Sequence, residues 1–341
     1  MTSDESCFIP ACNSLLVARD GSSDLRLETQ DPRLHRPPMR ESRVTKNLQY
    51  LIARLLLGAF AVLPVWVGFA VSAAMARVFF LFSGKLRRVG ERNVEIAFPD
   101  LSPKERQRLL RGCFANLGRL LAVFAYVTNH PEELKQLIDC EGIENLEAAE
   151  RSGRGAILFT GHIGAWELSS FGLSLFGHPL SFLVRRIDNP KIEGLIDRAR
   201  TRLGNRTIDK RSAAREMLQI MQSGGTLGIL VDLNTLDREG IFVDFFGVPA
   251  STTFMLAKLA LRTNAQVLPV FAPWDERRKR FILKIDEPLQ FESAGDETED
   301  VRRLTQLFTS VVEKYVRQYP DQWLWIHRRW KTRPPGEPEI Y

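Results

Sequence analysis

Cysteine is scarce, with four residues in 341. That is too few for a disulfide scaffold. Cys7 and Cys12 lie in an irregular N-terminal stretch, and Cys113 and Cys140 lie in helical-type regions as buried reduced thiols. There is no C-x-x-C pair and no H-E-x-x-H, and the five histidines (His35, His130, His162, His178, His327) are scattered. A zinc site draws two ligands from one element, so no structural or catalytic metal is expected. Neither charge dominates: 47 Lys+Arg face 41 Asp+Glu, a net +6. Hydrophobic residues at 44% and charged residues at 26% exclude wholesale disorder. No internal repeat is visible and no strong linker divides residues 85–335, so one catalytic-type domain is expected there. The overall charge leaves a nucleic-acid binder and a membrane-surface enzyme equally open.

The N-terminal stretch differs from the rest. Residues 1–46 hold Ser, Asp, Pro and Arg without an apolar period and read as a disordered tail. Its first 31 residues carry six acids against two arginines, and residues 32–46 reverse the sign with five basic residues against Glu41. From Leu55 to Ala76 there follow 22 residues without charge, bounded by Arg54 and Arg77. About 20 helical residues cross a hydrocarbon core of ~30 Å, so the run is long enough to span. Residues 47–84 are therefore expected to be a membrane-anchoring helix, transmembrane or embedded in one leaflet. A buried core helix is the competing reading, because Gly58 and Pro64 interrupt the run. Basic residues on both sides make the positive-inside rule nearly silent and suit a helix with both ends at one anionic surface.

Beyond the anchor, Ser102-Pro-Lys-Glu reads as a capping box that opens a helix to about Tyr126. Short apolar runs then alternate with helical stretches. Strands are expected at 156–159, 180–184, 227–231, 267–271 and 281–285. Helices are expected at 166–176, 190–203, 211–222, 252–262 and 301–317. The pattern gives an α/β class: a mixed, largely parallel sheet flanked by helices over residues 85–341, preceded by the anchoring helix.

Chemistry concentrates in Gly155-Ala-Ile-Leu-Phe-Thr-Gly-His-Ile-Gly-Ala-Trp-Glu. A strand ends at Thr160, and two glycines bracket His162. Glu167 follows five residues later. If a helix begins after His162, the ring can fold back so that Glu167 accepts from Nδ1–H and leaves Nε2 as a base. No G-x-S-x-G elbow accompanies it, so the substrate's own hydroxyl is the expected nucleophile. The bland reading is a histidine hydrogen-bonded in a turn, with Glu167 favouring a helix N-terminus.

Gly161-His-Ile-Gly-Ala-Trp-Glu-Leu resembles the H-x4-D/E block of glycerolipid acyltransferases, in the form found in the bacterial lipid A late acyltransferases. Arg87-Arg-Val-Gly-Glu-Arg-Asn-Val-Glu-Ile-Ala-Phe-Pro, Val184-Arg-Arg-Ile-Asp-Asn-Pro and Trp323-Leu-Trp-Ile-His-Arg-Arg-Trp-Lys-Thr-Arg-Pro resemble further blocks of that family, in the same order. The resemblance covers about residues 47–341. It implies a glycerolipid acyltransferase-like fold and a membrane enzyme of lipid A, hence lipopolysaccharide, biosynthesis. It further implies an acyl carrier protein thioester as donor without other cofactor, a lipid A precursor or related glycolipid as acceptor, and work at the cytoplasmic side of the inner membrane.

Other candidates follow from position. Asp232 ends a strand where ligands of open α/β sheets gather, and is expected to position an acceptor group or pair Arg185. The resemblance favours Asp-x-Asp there, but the second position is Asn234. Arg185 and Arg186 follow another strand end and suit a phosphate or an oxyanion. Phe242, Phe245 and Phe246 are either wall of an acyl channel or ordinary core, and Ser251-Thr-Thr is read as a helix cap. Trp325, His327 and Arg329 belong to a dense aromatic–cationic segment with Trp323 and Trp330. It is read as contacting headgroup or substrate, with core packing as the alternative and nucleic acid disfavoured. The alternatives kept open are acyl transfer from acyl-CoA to another lipid, such as mannosylated phosphatidylinositol, and a non-catalytic lipid-binding protein on the same fold.

Overall fold

The structure, a computed structural model, describes residues 42–209, 213–236 and 239–341. Most of the expected tail lies outside the described residues. Ser42 caps the first helix, its hydroxyl accepting from the Thr45 amide at 3.0 Å, so the last residues assigned to that tail are helical. Helix α1 (Arg43–Val62) ends where Pro64 removes a backbone donor, and α2 (Val65–Phe82) begins beyond it. The uncharged run is thus two helices, not the one anchoring helix expected. After α3 (Gly84–Ala97), the capping box forms in full: Ser102 and Glu105 exchange side chain-to-backbone bonds at the start of α4 (Pro103–Asn129). Helix α2 packs along α4 through Gly68, Ser72, Ala76 and Phe80, four buried residues at a spacing of four. Small residues let the helices approach closely: a Cβ on Gly118 would stand 2.7 Å from the Ser72 carbonyl oxygen. Both α2 and α4 are long and apolar enough to cross a membrane by length and composition alone, but 56% of the α4 segment is buried in the protein.

The remaining helices are α5 (Pro131–Gln136), α6 (Ile143–Arg151), α7 (Phe171–Leu175), α8 (Pro190–Thr201), α9 (Ala213–Gln222), α10 (Met255–Thr263) and α11 (Glu297–Gln318). The main sheet is built from β1 (Ile138–Glu141), β2 (Ala156–Thr160), β3 (Ser181–Val184), β4 (Arg206–Asp209) and β5 (Thr226–Leu230), then β8 (Gln266–Phe271), β9 (Trp274–Asp275) and β10 (Arg280–Ile285). Its order is β1-β10-β8-β2-β5-β3-β4, with β9 on β10. From β8 to β4 all neighbours are parallel, while β10 runs antiparallel to β8 and carries β1 parallel to itself. The sheet is mixed and largely parallel, as expected. Strand β2 is buried throughout because both its faces are covered. Ile157 and Phe159 face a core with Met217, Leu256 and Phe308, while Ala156 and Leu158 face one with Val123, Leu168 and Leu173.

Two local expectations are corrected, and one open choice is decided for Phe245 and Phe246. Cys140 lies on strand β1, although Cys113 is helical. Residues 240–253 form a hairpin, β6 (Gly240–Phe245) and β7 (Val248–Thr253), with Phe246 and Gly247 both at positive φ in its two-residue turn. Strand β7 therefore occupies Ser251-Thr-Thr, and α10 starts only at Met255. Phe245 and Phe246 are buried against Trp323, Trp325 and Trp330, which is core packing and not a channel wall.

Gly118→Val is expected to prise α2 from α4 and cost about 1–3 kcal/mol through overpacking. Calorimetry of the full chain should show the lowered melting temperature.

Candidate active site

Three parallel strands end at one level. Thr160 pairs with Leu230, and Phe182 pairs with Gly228, so β2, β5 and β3 share a carboxyl edge. His162 and Asp232 each stand two residues past their strands, and Arg185 stands one past β3. The sheet register alone gathers these residues, which are far apart in sequence, at the edge where open α/β sheets bind ligands.

His162 and Asp232 are both buried, each only 3% exposed. The ring Nδ1 meets Asp232 Oδ1 at 2.7 Å, and the His162 amide donates to Oδ2 at 2.7 Å. The Trp323 indole Nε1–H donates to the same Oδ2, also at 2.7 Å. Burial alone would raise the Asp232 carboxyl. The charge and hydrogen bonds of His162, with the Trp323 indole, outweigh it and hold the group down to about 2. An ionised carboxylate only accepts, so Nδ1 carries a proton, and the tautomer selected by this bond is the one whose acceptor is Nε2. Trp166 flanks the imidazole, with ring centroids 5.0 Å apart.

The glycines of G-H-x-G have specific work here. A Cβ on Gly161 would stand 3.1 Å from Asp232 Oδ2, so the bare residue makes room for the carboxylate. Gly164 has φ +62°, and a Cβ there would run into the Ala272 carbonyl. The turn is pinned by its own amides. Ile163, Gly164 and Ala165 donate to the carbonyls of Gly161, Gln322 and Ala272. Asn116 of α4 adds side-chain bonds to the Gly164 and Gln322 carbonyls, at 2.8 and 3.2 Å.

Glu167 is not the carboxylate on Nδ1. It lies on a 3-10 turn (Trp166–Ser169), where its two oxygens take the Arg200 guanidinium at 2.6 and 3.1 Å. Five residues on a tight turn carry Glu167 towards α8, while Asp232 arrives from the adjacent strand end. Asp232 in turn pairs the histidine and not Arg185. Arg185 is exposed and forms no ion pair with a described residue, whereas Arg186 is held by Asp209 at 3.0 Å and Glu193 at 3.7 Å.

The C-terminal aromatic–cationic segment is likewise corrected. Trp323, Trp325 and Trp330 have no exposed surface, and the Trp325 indole donates to the Pro320 carbonyl, so it does not face a headgroup. Arg329 is 1% exposed and spends its guanidinium on the Ser251 and Leu233 carbonyls and the Thr252 hydroxyl. Thr332 exchanges two bonds with the Asn234 side chain, at 2.9 and 3.0 Å. The segment thereby clamps the loop that carries Asp232. His327 lies beside this network with its Nδ1 buried and unpartnered among the described residues, and burial pushes its pKa down to about 3. The ring is therefore neutral near pH 7.

The model of the bacterial lipid A biosynthesis acyltransferase family matches residues 39–332. The chain belongs to that family. It is an acyltransferase. Three relatives from Escherichia coli K12 are similar along most of their length. The lipid A biosynthesis myristoyltransferase is 25% identical over 76% of this chain and 81% of its own. The palmitoleoyltransferase is 28% identical over 79% and 85%, and the lauroyltransferase 25% over 82% and 90%.

In this member of the family, sequence reasoning named His162, Asp232 and Arg185, which the structure places at one sheet edge, but missed how Trp323, Asn116 and Asn93 hold Asp232, the histidine turn and the C-terminal segment. Asn93 of the Asn-to-Phe-Pro block is fully buried and bonds the Trp325 and His327 carbonyls, both at 2.6 Å, while Tyr341 donates to its oxygen. The available signal was the order of the four resembling blocks, because the first proves to bind the last.

Two acid-side effects follow for the acyltransferase. The folded pKa of His327 lies below its ordinary 6.5 and that of Asp232 below its ordinary 3.8. In both cases the unfolded chain binds protons first as pH falls, so stability is present at neutral pH and declines on acidification. Loss should begin near pH 6.5 and continue to about 3 for His327, then from about 3.8 to 2 for Asp232. Urea unfolding across this range should show a flatter slope above pH 4 in His327→Gln. An unchanged slope there would reject the neutral ring.

Proposed function

We propose that the chain moves a fatty acyl group from an acyl carrier protein thioester to a hydroxyl of a lipid A precursor, at the cytoplasmic face of the bacterial inner membrane. The observation that carries this reading is the buried His162–Asp232 pair at the sheet edge, with Nε2 free of any partner among the described residues. Family membership and the relatives' names supply the lipid A direction.

His162 Nε2 accepts the proton of the acceptor hydroxyl as that oxygen attacks the thioester carbonyl carbon. Asp232 fixes the tautomer and stabilises the imidazolium, as in other histidine–carboxylate pairs. The tetrahedral intermediate collapses with cleavage of the C–S bond, and the imidazolium returns its proton to the departing thiolate. The products are the ester and the carrier's free thiol. The three amides following His162 are already bonded, so they are poor candidates for the oxyanion. Arg185, exposed at the same edge, is the better one, or else it binds an acceptor phosphate. Glu167 acts at one remove, tying the turn after His162 to α8 through Arg200. His327 provides a neutral polar surface beside the pair. Trp325, Arg329 and Arg186 serve the acceptor indirectly, through the loops they hold.

The test is purified enzyme with labelled acyl-carrier-protein thioester and lipid A precursor, products read by mass spectrometry. Label on another lipid alone, or transfer only from acyl-CoA, would reject the substrate assignment. His162→Ala should lower kcat by about 10²–10⁴-fold. Asp232→Asn should fall in the same range, because the amide no longer enforces the Nδ1–H tautomer. Glu167→Gln should lose less turnover and show its main effect as a lower melting temperature. If Glu167→Gln proved the more damaging to kcat, the pairing role of Asp232 would be wrong.

A further inference from the structure

Outside the sheet edge, two arginines converge on one aromatic ring without a counter-ion. We propose that Arg87 and Arg111 form a phosphate-binding site over the Phe80 ring, and that the site takes a phosphate carried by a lipid headgroup. The choice of a lipid-borne phosphate rests on the function proposed above. The site itself rests on the geometry that follows.

Phe80 closes the buried stripe of α2 and is 6% exposed. Phe114 of α4 meets the ring edge-on, with centroids 5.1 Å apart. The Arg87 guanidinium carbon, from α3, stands 5.1 Å from the Phe80 centroid, and that of Arg111, from α4, stands 5.9 Å from it. Each cation gains from the ring quadrupole, but the two charges are thereby held within about 11 Å of each other. A stacked guanidinium is pre-organised, so less freedom is lost when its N–H groups take an oxyanion.

Neither cation is neutralised. On the same two helices Arg92 and Arg106 both pair with Glu95, at 2.8 and 3.1 Å. Arg87 and Arg111 form no ion pair with a described residue. Glu91, one turn on from Arg87, and Asp321, packed against Gly112, are the adjoining acids, and neither bridges to them. Arg111 donates to the Gln107 side chain at 3.0 Å, and Arg87 Nε is buried without a partner among the described residues. A buried donor left unmet is costly, and a ligand oxygen would meet it. Arg88 and Arg108, beside the pair on α3 and α4, are exposed and add to the positive charge. A phosphate presents several acceptor oxygens and can take both forks at once, whereas a carboxylate offers two.

The surroundings favour an amphiphile as carrier of that phosphate. Among the described residues every exposed large hydrophobic side chain except Leu236 lies on α1 and α2, and Val78, Phe79, Leu81 and Phe82 bracket Phe80 in the chain. Helix α3 also leads back to the reactive centre. Its Asn93 bonds the Trp325 and His327 carbonyls, both at 2.6 Å, in the segment whose Trp323 donates to Asp232. Binding energy collected at a remote phosphate can hold a hydroxyl in place at His162.

The experiment is titration calorimetry of the full chain in non-ionic detergent. The probes are dihexanoyl phosphatidic acid, dihexanoylglycerol and inorganic phosphate. Phosphatidic acid should bind, and Arg87→Ala with Arg111→Ala should weaken it by about tenfold or more. Equal binding of dihexanoylglycerol, or unchanged binding in the double variant, would overturn the site. Inorganic phosphate binding as tightly as phosphatidic acid would overturn the lipid-borne source. Arg87→Lys with Arg111→Lys keeps the charge and guards against loss of fold. It should still bind more weakly than the wild type, because the fork and the stacking are gone. Arg277→Ala, an exposed arginine on another loop, should bind as the wild type, and an equal loss there would reduce the effect to general basic attraction and overturn the site. A raised KM for the acyl carrier protein thioester with unchanged phosphatidic acid binding would make this face a dock for an acidic protein, and would equally overturn it. None of the calorimetric readouts uses acyl transfer. Binding that needs both arginines in a chain that transfers nothing would sink the proposed function and leave the site, whereas transfer with binding indifferent to them would sink this inference alone.

Discussion

A carboxylate sheltered from water is costly unless its charge is met on every side, and Asp232 is such a group. Three donors converge on it: the His162 ring, the His162 amide and the Trp323 indole. They come from the turn after β2 and from the C-terminal segment, while the carboxylate belongs to the loop after β5. Much of the neighbouring structure follows from keeping these segments in register. Gly161 has no side chain because the carboxylate occupies that space. Arg329, Thr332 and Asn93 are buried or half-buried not to meet substrate but to hold the strands and carbonyls around the triple contact. A buried network of this kind stabilises only when complete, so the arrangement resists piecemeal change.

Helix α4 joins this centre to the helices that carry the exposed apolar surface. Asn116 bonds the Gly164 and Gln322 carbonyls beside the histidine turn, and Gly118, one half-turn on, receives the backbone of α2. Further along, Tyr126 and His130 secure the break between α1 and α2. One packed element therefore sets the offset between the His162 imidazole and the apolar face. In the proposed reaction an acceptor embedded in lipid would be met at a fixed depth, and a packed helix fixes depth better than a loop.

Much of the fold was legible because its signals are local. The buried run 156–160 and the capping box Ser102-Pro-Lys-Glu were read within a residue or two, since hydrophobic period and cap chemistry act over single turns. The β6–β7 hairpin was missed because Phe246-Gly247 is an unusual carrier of a two-residue turn and Ser251-Thr-Thr imitates a helix cap. The apolar run was read by length, although Pro64 held the information that it breaks into two helices. In the site, position after a strand end marked Asp232 and Arg185 correctly as edge residues. It did not tell their partners, because spacing along the chain favoured the nearby Glu167 over a carboxylate seventy residues away.

The sequence by itself determined the class of the sheet, the place of His162 on a glycine-bracketed turn and the family resemblance, all of which depend on short-range pattern and motif order. Only the tertiary structure decided which acid holds the histidine, because that pairing is made by strands brought side by side. It also decided that Trp323, Trp325, Trp330 and Arg329 at the C-terminus are core. Composition makes Trp with Arg look interfacial, but here the Trp323 and Trp325 indoles and the Arg329 guanidinium are spent on a carboxylate, carbonyls and a hydroxyl inside the protein. Burial is a property of the assembled surface, and no window of residues contains it.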